Sequence, residues 1–109
     1  AEVKSVNLLE GDTARFPDAP TERGSKHLQE LTACKQNGFD AAVIFLVMGN
    51  EARVFDVNRE TDPAFEQNLK LAVQAGVEVY VYTCGIDLQG VEYTGRIPLR
   101  GEEVWKSMH

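Results

Sequence analysis

Glu2 and Lys4, separated by Val3, are the residues whose types and spacing most directly suggest chemistry in this chain. Their surroundings favour a β-strand, in which residues two apart project to the same face, so the carboxylate and the ammonium would point together. A carboxylate can bind a divalent cation, and a nearby lysine can orient water and balance charge in phosphoryl transfer. The same spacing is also typical of a solvated ion pair on a strand, and that alternative stays open.

A second group of candidate residues lies where a helix is predicted to begin. Pro17 and Pro20 bracket a turn, and the hydroxyl of Thr21 can cap the helix that follows. Cations at this end oppose the helix macrodipole, so a partner anion, either a phosphate or a carboxylate elsewhere in the fold, would explain them. The alternative is a solvated basic face on an acidic protein. The basic residues are Arg23, Lys26 and His27.

The first half of the chain is predicted to supply a hairpin and a helix that position these residues. Residues 3–9 and 13–16 favour two strands around a turn at residues 10–12. Residues 21–37 predict a helix that ends at an Asn-Gly pair. Its expected apolar stripe consists of Leu28, Leu31 and Cys34.

The second half is predicted to contain a strand–helix–strand unit. Residues 41–48 form a continuous apolar run, which is typical of a central strand buried on both faces. Asp62 as cap and Pro63 as first helical residue predict a helix over 62–75, and residues 77–83 alternate as a strand with unlike faces. The two strands should be parallel and joined by a right-handed crossover.

Shorter elements complete the predicted fold. Residues 53–57 favour a short strand, residues 91–97 an antiparallel edge strand, and residues 100–109 a short helix or a frayed tail. The predicted fold class is therefore α/β, with a mixed sheet flanked by helices.

Composition restricts the range of functions. A chain of 109 residues is one domain, and its net charge of −6 argues against gripping a nucleic-acid backbone through this chain alone. It does not argue against a nuclease, whose metal site is itself rich in carboxylates. We interpret Cys34 and Cys84 as reduced thiols and expect a cytosolic setting. No apolar run approaches the roughly 20 residues of a membrane helix.

Several stretches share their residues and order with one protein family. They are Glu2-Val3-Lys4-Ser5-Val6, Arg15-Phe16-Pro17-Asp18-Ala19-Pro20-Thr21-Glu22-Arg23-Gly24, Lys26-His27-Leu28, Asn58-Arg59-Glu60, Asp62-Pro63-Ala64-Phe65 and Ala75-Gly76-Val77-Glu78-Val79. Together they resemble the sugar fermentation stimulation protein A family. The resemblance implies an N-terminal OB-fold-like domain and a C-terminal domain similar to the PD-(D/E)xK nucleases, of which this chain resembles only the second. We therefore expect residues 1–109 to be one domain, the C-terminal half of a longer chain.

The resemblance also implies a restriction-endonuclease-like core that lacks its first strand here. In such enzymes the Glu-x-Lys strand follows a strand bearing a metal-binding aspartate, and Glu2 and Lys4 match the Glu-x-Lys element. The resemblance then makes Glu2 a ligand of Mg²⁺ or another divalent cation and places Lys4 beside the attacking water. The missing strand would leave an unpaired sheet edge, through which two copies could form a homodimer.

Phosphate-facing residues follow from the same resemblance, because the helix after the hairpin would lie against the Glu-x-Lys strand. His27 could be a general base or a phosphate donor, and the alternative is a satisfied structural histidine. For Arg59 the alternative is a local pair with Asp62 that fixes the loop. Tyr80 and Tyr82 could stack on bases, pack under a helix or lie at a subunit contact. The phosphate-facing candidates are Thr21, Arg23, Lys26, His27 and Arg59.

Three functions are compatible with these residues. One is a metal-dependent nuclease, or the catalytic half of one, which we expect to be inactive as this chain alone. The second is a non-enzymatic DNA-binding regulator of sugar-metabolism genes on a degenerate nuclease scaffold, with DNA bound through the full-length protein. The third is a domain that binds a phosphate or a small molecule in the same pocket. Metal binding near Glu2 separates the first from the second.

Overall fold

A computed structural model describes residues 2–87 and 89–108, with the backbone alone at residues 86 and 87. Over these residues the chain forms an α/β fold with two mixed sheets and three helices, which confirms the predicted α/β class. The elements are β1 (Glu2–Val6), β2 (Leu8–Glu10), β3 (Thr13–Phe16), α1 (Glu22–Gln36), β4 (Ala42–Met48), β5 (Val54–Val57), α2 (Pro63–Ala75), β6 (Glu78–Asp87), β7 (Gly90–Arg96) and α3 (Glu102–Lys106).

The larger sheet has the strand order β1-β4-β6-β7. The first three strands are parallel, and β7 is antiparallel to β6. This arrangement confirms the predicted parallel pairing across the strand–helix–strand unit and the antiparallel edge strand near the C-terminus. Among the described residues, the strand that carries Glu2 and Lys4 forms the opposite edge of this sheet.

The smaller sheet has the order β2-β3-β5. Its β2–β3 hairpin is antiparallel, and β3 runs parallel to β5. The hairpin is confirmed, but the single strand predicted over residues 3–9 is wrong: it breaks at Asn7, a residue type that disfavours strands, so β1 joins the larger sheet and only β2 pairs with β3. The two sheets meet in an aromatic core, where the rings of Phe45 on β4 and Phe55 on β5 have centroids 4.6 Å apart. Phe65 of α2 closes this core against Phe16, at 5.2 Å between ring centroids.

Both long helices begin at the caps that the sequence predicts. The Thr21 hydroxyl accepts a hydrogen bond from Gly24 N at 2.9 Å, and the Asp62 carboxylate accepts one from Phe65 N at 3.0 Å. Gly76 ends α2 with a φ of 101°, a left-handed conformation that favours glycine. The expected stripe of α2 is buried and consists of Phe65, Leu69, Ala72 and Val73.

The stripe predicted for α1 is only partly correct. Leu28 is fully buried and Leu31 packs against the core, but Cys34 is exposed. A helix turns about 100° per residue, so residues spaced three apart drift around its surface and the third member leaves the buried face.

The prediction that residues 41–48 are buried on both faces is wrong. Burial alternates along β4, because Ile44 and Leu46 are half-buried while the residues between them are buried. The long helices lie against each other and on one face of the sheet, so the other face has no helix layer among the described residues. The helix-facing core includes Leu28, Val43, Phe45, Val47, Phe65 and Leu69.

No helix among residues 2–87 and 89–108 is long and apolar enough to cross a membrane.

Candidate phosphodiester site at the edge of the sheet

Glu2 and Lys4 project from β1 towards the helices, as expected from strand alternation. In the parallel register Glu2 is paired with Val43 and Lys4 with Phe45, both of which lie in the helix-facing core. Val3 between them is on the other face and is 56% exposed. An edge strand therefore carries two ionisable side chains on its inner face.

His27 of α1 lies between these two side chains. Its Nδ1 is 3.4 Å from Glu2 Oε2 and 3.4 Å from Lys4 Nζ. The imidazole is 20% exposed and the Glu2 side chain 37%, so the cluster is partly shielded yet reachable from solvent. We refer to Glu2, Lys4 and His27 as the edge cluster.

The two contacts of His27 Nδ1 require opposite protonation of that atom. Without a proton, Nδ1 accepts a hydrogen bond from the Lys4 ammonium; with a proton, it donates to the Glu2 carboxylate. The edge cluster can therefore hold a proton on His27 Nδ1 and change which neighbour it engages when that proton leaves.

Partial burial dominates the electrostatics of Lys4. Desolvation lowers the pKa of Lys4 below its ordinary value, the Glu2 carboxylate raises it in part, and the Arg23 guanidinium lowers it again. Arg23 and His27 are four residues apart on α1 and therefore lie on one side of the helix. The structure thus brings Arg23 within electrostatic reach of the edge cluster.

Thr21 and Lys26 are placed differently from the expectation that the α1 candidates converge on Glu2 and Lys4. The Thr21 hydroxyl is engaged as the cap of α1, and its backbone N–H donates to Asp62 Oδ2 at 2.9 Å. Lys26 is exposed and lines a groove of about 320 Å³ with Gln29 and Asn68. Because Lys26 precedes His27 by about 100° around the helix, it faces this groove rather than the edge cluster.

Arg59 is held by one carboxylate of β5 and one of the first turn of α2. Its Nε lies 2.5 Å from Glu66 Oε2, and its Nη2 lies 3.1 Å from Asp56 Oδ1. The hydrogen bond to Glu66 raises the pKa of Arg59. The alternative that Arg59 pairs locally with Asp62 is wrong. The Asp62 carboxylate instead accepts hydrogen bonds from two backbone N–H groups.

Asp56 is a buried carboxylate that the sequence reading missed. It is 1% exposed and contacts both Arg59 and Arg100, the latter at 3.3 Å. An acidic residue in the middle of a β-rich run was the available signal, since a charge at such a position is buried only with partners.

Tyr80 and Tyr82 lie on the sheet face opposite the helices. Their neighbours Val79 and Val81 point into the core, so the tyrosines point away from it. The option that they pack under a helix is therefore wrong for the described residues. Base stacking and a subunit contact remain as hypotheses.

The described residues alone do not make a complete cation site. Within residues 2–87 and 89–108 no group of three His, Cys, Asp or Glu side chains could hold a metal ion. Mg²⁺ prefers six oxygens, and the edge cluster offers the single carboxylate of Glu2. Any tight site that uses Glu2 needs further oxygen ligands.

The parallel core with a Glu-x-Lys strand at its edge is a domain of the restriction-endonuclease-like class. The family model described as the sugar fermentation stimulation protein RE domain matches residues 1–90, and the chain belongs to that family. A sugar fermentation stimulation protein homolog of Desulforamulus reducens is 48% identical over 99 residues, which cover 91% of this chain and 41% of that protein. A homolog of Saccharolobus solfataricus is 44% identical over 98 residues, or 90% of this chain and 41% of the relative.

A solved structure agrees with this assignment. The structure of Pyrococcus furiosus SfsA in complex with Ca²⁺ superposes with a TM-score of 0.85 at 32% identity. The match covers 91% of this chain and 43% of that one, so the chain spans about two fifths of the relatives' length.

Proposed function

We propose that this chain supplies part of a nuclease-like site that binds a nucleic-acid phosphodiester at the edge cluster. The observation that carries the proposal is the approach of His27 Nδ1 to within 3.4 Å of both Glu2 and Lys4 on the helix-facing side of an edge strand. A carboxylate, an amine and an imidazole in contact are the groups that proton transfer and charge balance at a phosphodiester require.

Each residue of this arrangement has a distinct role in the proposal. Lys4 and Arg23 present positive charge where phosphoryl oxygens would lie, and the low exposure of the cluster strengthens that attraction. His27 Nδ1 accepts or releases a proton between Lys4 and Glu2. Thr21 acts indirectly, because its cap fixes the first turn of α1 and hence the position of Arg23. Lys26 and Arg59 would contact only phosphates further along the bound nucleic-acid strand.

We further propose that Glu2 is one ligand of a divalent cation, which we expect to be Mg²⁺. The relative from Pyrococcus furiosus was solved in complex with Ca²⁺, which supports a divalent cation in this family. The other ligands would come from outside the described residues, which do not form a complete set.

The second candidate function is a non-enzymatic DNA-binding regulator, with DNA contacted through the longer protein. The incomplete carboxylate set favours it, because a scaffold that only binds needs no metal. The two candidates differ in what Glu2 does. In a nuclease Glu2 binds a cation, whereas in a regulator it is the ion-pair partner of His27.

Calorimetric titration of Mg²⁺ and Ca²⁺ tests the cation proposal. We expect weak binding by the wild-type chain that is lost in Glu2→Gln. Glu10→Gln is the matched control, because Glu10 is also a strand glutamate paired with a basic residue, Arg15 at 3.5 Å. Cation binding that survives Glu2→Gln, or that disappears equally in Glu10→Gln, would contradict a role for Glu2.

A gel assay on plasmid and single-stranded DNA with Mg²⁺ or Mn²⁺ tests activity. We expect no robust turnover from this chain alone, since one carboxylate holds these ions poorly. Clear cleavage that is lost in Glu2→Ala and Lys4→Ala would show instead that the chain contains a complete site.

A further inference from the structure

A polar cavity lies where the loop between β4 and β5 meets strands β6 and β7. It has a volume of about 450 Å³, and Arg53, Thr83 and Thr94 are among the residues that line it. No residue of the edge cluster is among them. In the larger sheet β4 separates β6 from the strand that carries Glu2 and Lys4, so the cavity and the edge cluster are different places in the fold.

Thr83 places a buried hydroxyl in the wall of this cavity. It continues the face of β6 that holds Val79 and Val81 in the core, and it is 5% exposed. Its hydroxyl oxygen is 2.9 Å from that of Thr94. One of the two hydroxyls donates to the other, so the second O–H group has no acceptor among the described residues and can donate to a ligand.

A β-bulge builds this part of the wall. Thr83 is paired with Gly95 and Cys84 with Tyr93, so Thr94 is an extra residue on β7. Bulges redirect side chains and are over-represented next to functional sites. Here the bulge brings the Thr94 hydroxyl to that of Thr83, while Gly95 leaves the space beside them open. A Cβ at Gly95 would lie 3.5 Å from Thr83 Oγ1, so any larger side chain at this position would extend over that hydroxyl.

Arg53 supplies the positive charge of the cavity. It directly precedes β5, and its backbone N–H donates to the Asp12 carbonyl at 2.7 Å, which fixes the base of its side chain. Among the residues that the structure describes, its guanidinium forms neither an ion pair nor a hydrogen bond, so its donors are free. Arg96 also borders the cavity, but its guanidinium lies 5.0 Å from the centroid of the Tyr80 ring, on the other face of the sheet.

The lining of the cavity combines hydrogen-bond donors with a positive charge. Asn50 adds a side-chain amide, and none of the described residues that line the cavity is an aspartate or a glutamate. Acidic residues follow just outside the lining in sequence, with Glu51 next to Asn50 and Glu92 two residues before Thr94. On a protein of net charge −6 this distribution favours one compact anion over a long polyanion.

We propose that this cavity binds a phosphate monoester of a small organic molecule, with the phosphoryl oxygens between Arg53 and the hydroxyls of Thr83 and Thr94. A guanidinium binds two oxygens of a phosphate in parallel hydrogen bonds, and a tetrahedral phosphate keeps a further oxygen for the hydroxyl wall. A planar carboxylate uses both of its oxygens on the guanidinium. The volume of about 450 Å³ is within the range of small-molecule sites, so the organic part also has room. The site does not involve the edge cluster and is independent of the proposed function.

Titration of the ¹⁵N-labelled 109-residue chain with thymidine 5′-monophosphate, followed by NMR, tests the proposal. We expect saturable shifts of the backbone amides of Thr83, Thr94 and Gly95. Thymidine and acetate should not produce these shifts, because the first lacks the phosphate and the second lacks the additional oxygens. Shifts of equal size with acetate, or shifts confined to β1 and α1, would overturn the proposal.

Oligothymidine without terminal phosphates distinguishes a monoester from a nucleic-acid backbone. It carries only phosphodiesters, so we expect it to affect the same three amides less than the monophosphate does at equal phosphate concentration. If oligothymidine bound there more tightly than the monophosphate, the cavity would be a backbone contact of a nucleic acid and the proposal would fail.

Charge variants test the role of Arg53. Arg53→Gln should weaken binding of the monophosphate by about 10-fold or more, the effect of losing hydrogen bonds from a charged group. Lys70→Gln is the control, because it removes the same charge from α2, away from the cavity. Equal effects of the two substitutions would reduce Arg53 to its contribution to net charge and would overturn the site.

Two substitutions test the hydroxyl wall. Thr83→Val keeps the shape of the side chain and removes the hydroxyl, so it should weaken binding by about 3-fold. Gly95→Val fills the space beside Thr83 and should abolish the shifts of the neighbouring amides. Full affinity in Gly95→Val would overturn the cavity as the binding site. Glu2→Gln should leave monophosphate binding intact, so failure of the edge cluster and failure of this cavity are recognised independently. Thermal unfolding of each variant checks that it is folded.

Discussion

The ammonium of Lys4 lies 3.4 Å from Nδ1 of His27, although 23 residues separate the two in sequence. The contact joins an edge strand to the first half of α1, and it is partly buried. The stability of the fold therefore depends on the charge of Lys4. Its surroundings in the folded state disfavour the charged ammonium and so lower its pKa.

Lys4→Met is expected to stabilise the chain near neutral pH. The folded-state pKa of Lys4 is lowered from its ordinary value of 10.5, chiefly by desolvation. The unfolded chain then binds more protons between the two pKa values, so the free energy of unfolding of the wild type rises with pH in that window. The destabilising charge is fully present below the folded-state pKa. Urea unfolding of wild type and Lys4→Met at several pH values should show a difference that is largest at neutral pH and shrinks as pH rises towards 10.5.

Lys26→Met is the control for this prediction, because Lys26 is an exposed lysine on the adjacent helix. Lys26→Met should change the free energy of unfolding little, and its difference from wild type should not shrink as pH rises. A Lys4→Met variant that is less stable than wild type at neutral pH would mean that the contacts of Lys4 with Glu2 and His27 outweigh its desolvation.

Asp62→Ala is expected to be among the most damaging single substitutions of an acidic residue. One carboxylate oxygen caps α2 at Phe65 N, and the other accepts from Thr21 N at 2.9 Å, so Asp62 joins the starts of both long helices. Loss of the cap costs about 1 kcal/mol, and the unpaired Thr21 N–H adds about 1–3 kcal/mol. The free energy of unfolding should therefore fall by about 2–4 kcal/mol.

Asp40→Ala serves as the matched control, because Asp40 is fully exposed and its Oδ1 lies as far as 3.9 Å from Lys35 Nζ. Surface pairs of this kind contribute about 0–1 kcal/mol. Equal losses in the two variants, measured by chemical denaturation, would show that the shared capping role of Asp62 is overstated.

Gly24→Ala should destabilise α1 even though alanine is the better helix former. A Cβ at Gly24 would lie 2.9 Å from Thr21 Cγ2 and 3.2 Å from the buried ring of Phe65. Alanine normally stabilises a helix interior by about 1 kcal/mol over glycine, but overpacking of this kind costs about 1–3 kcal/mol. We expect the clash to prevail, with a lower midpoint of thermal unfolding.

Ser25→Ala tests the same turn in the opposite direction. The Ser25 hydroxyl is buried and has no hydrogen-bond partner among the described residues, so its removal relieves a desolvated polar group. Alanine also has the higher helix propensity, and together these effects should raise stability by about 0.5–1 kcal/mol. If Gly24→Ala were the stabilising variant and Ser25→Ala the destabilising one, the packing at the start of α1 would be misassigned.

Local patterns were sufficient to predict most elements, although the strand predicted over residues 3–9 divides into β1 and β2, and β6 extends beyond the predicted residue 83 to Asp87. Several features depend on only a few neighbouring residues and can be predicted without knowledge of the fold. They are the caps at Thr21 and Asp62, the left-handed Gly76 and the alternation after Val77. The apolar run at residues 41–48 was misread because sequence shows that a strand is apolar but not how many layers cover it. That depends on where the crossover helices lie.

The edge cluster was only partly predictable from local patterns. Strand alternation brings Glu2 and Lys4 to one face, and the position of His27 follows from the helix after the hairpin. The partners of Arg59 were missed although both are near it in sequence, Asp56 three residues before it and Glu66 seven after it, because the sequence does not show which of the nearby carboxylates the guanidinium meets.

Salt dependence gives the most direct test of where nucleic acid binds. We expect binding by this chain to be weak and salt-sensitive, because the net charge of −6 leaves only local positive groups to contact phosphate. For single strands each neutralised phosphate contributes about −0.7 to the slope of log affinity against log salt. Arg23→Gln should therefore reduce the slope by about 0.7 if Arg23 contacts one phosphate. Anisotropy titrations of oligothymidine at several salt concentrations measure this slope. Tight binding that barely changes with salt, or a slope that Arg23→Gln leaves unaltered, would show that phosphate contacts at Arg23 do not hold the strand.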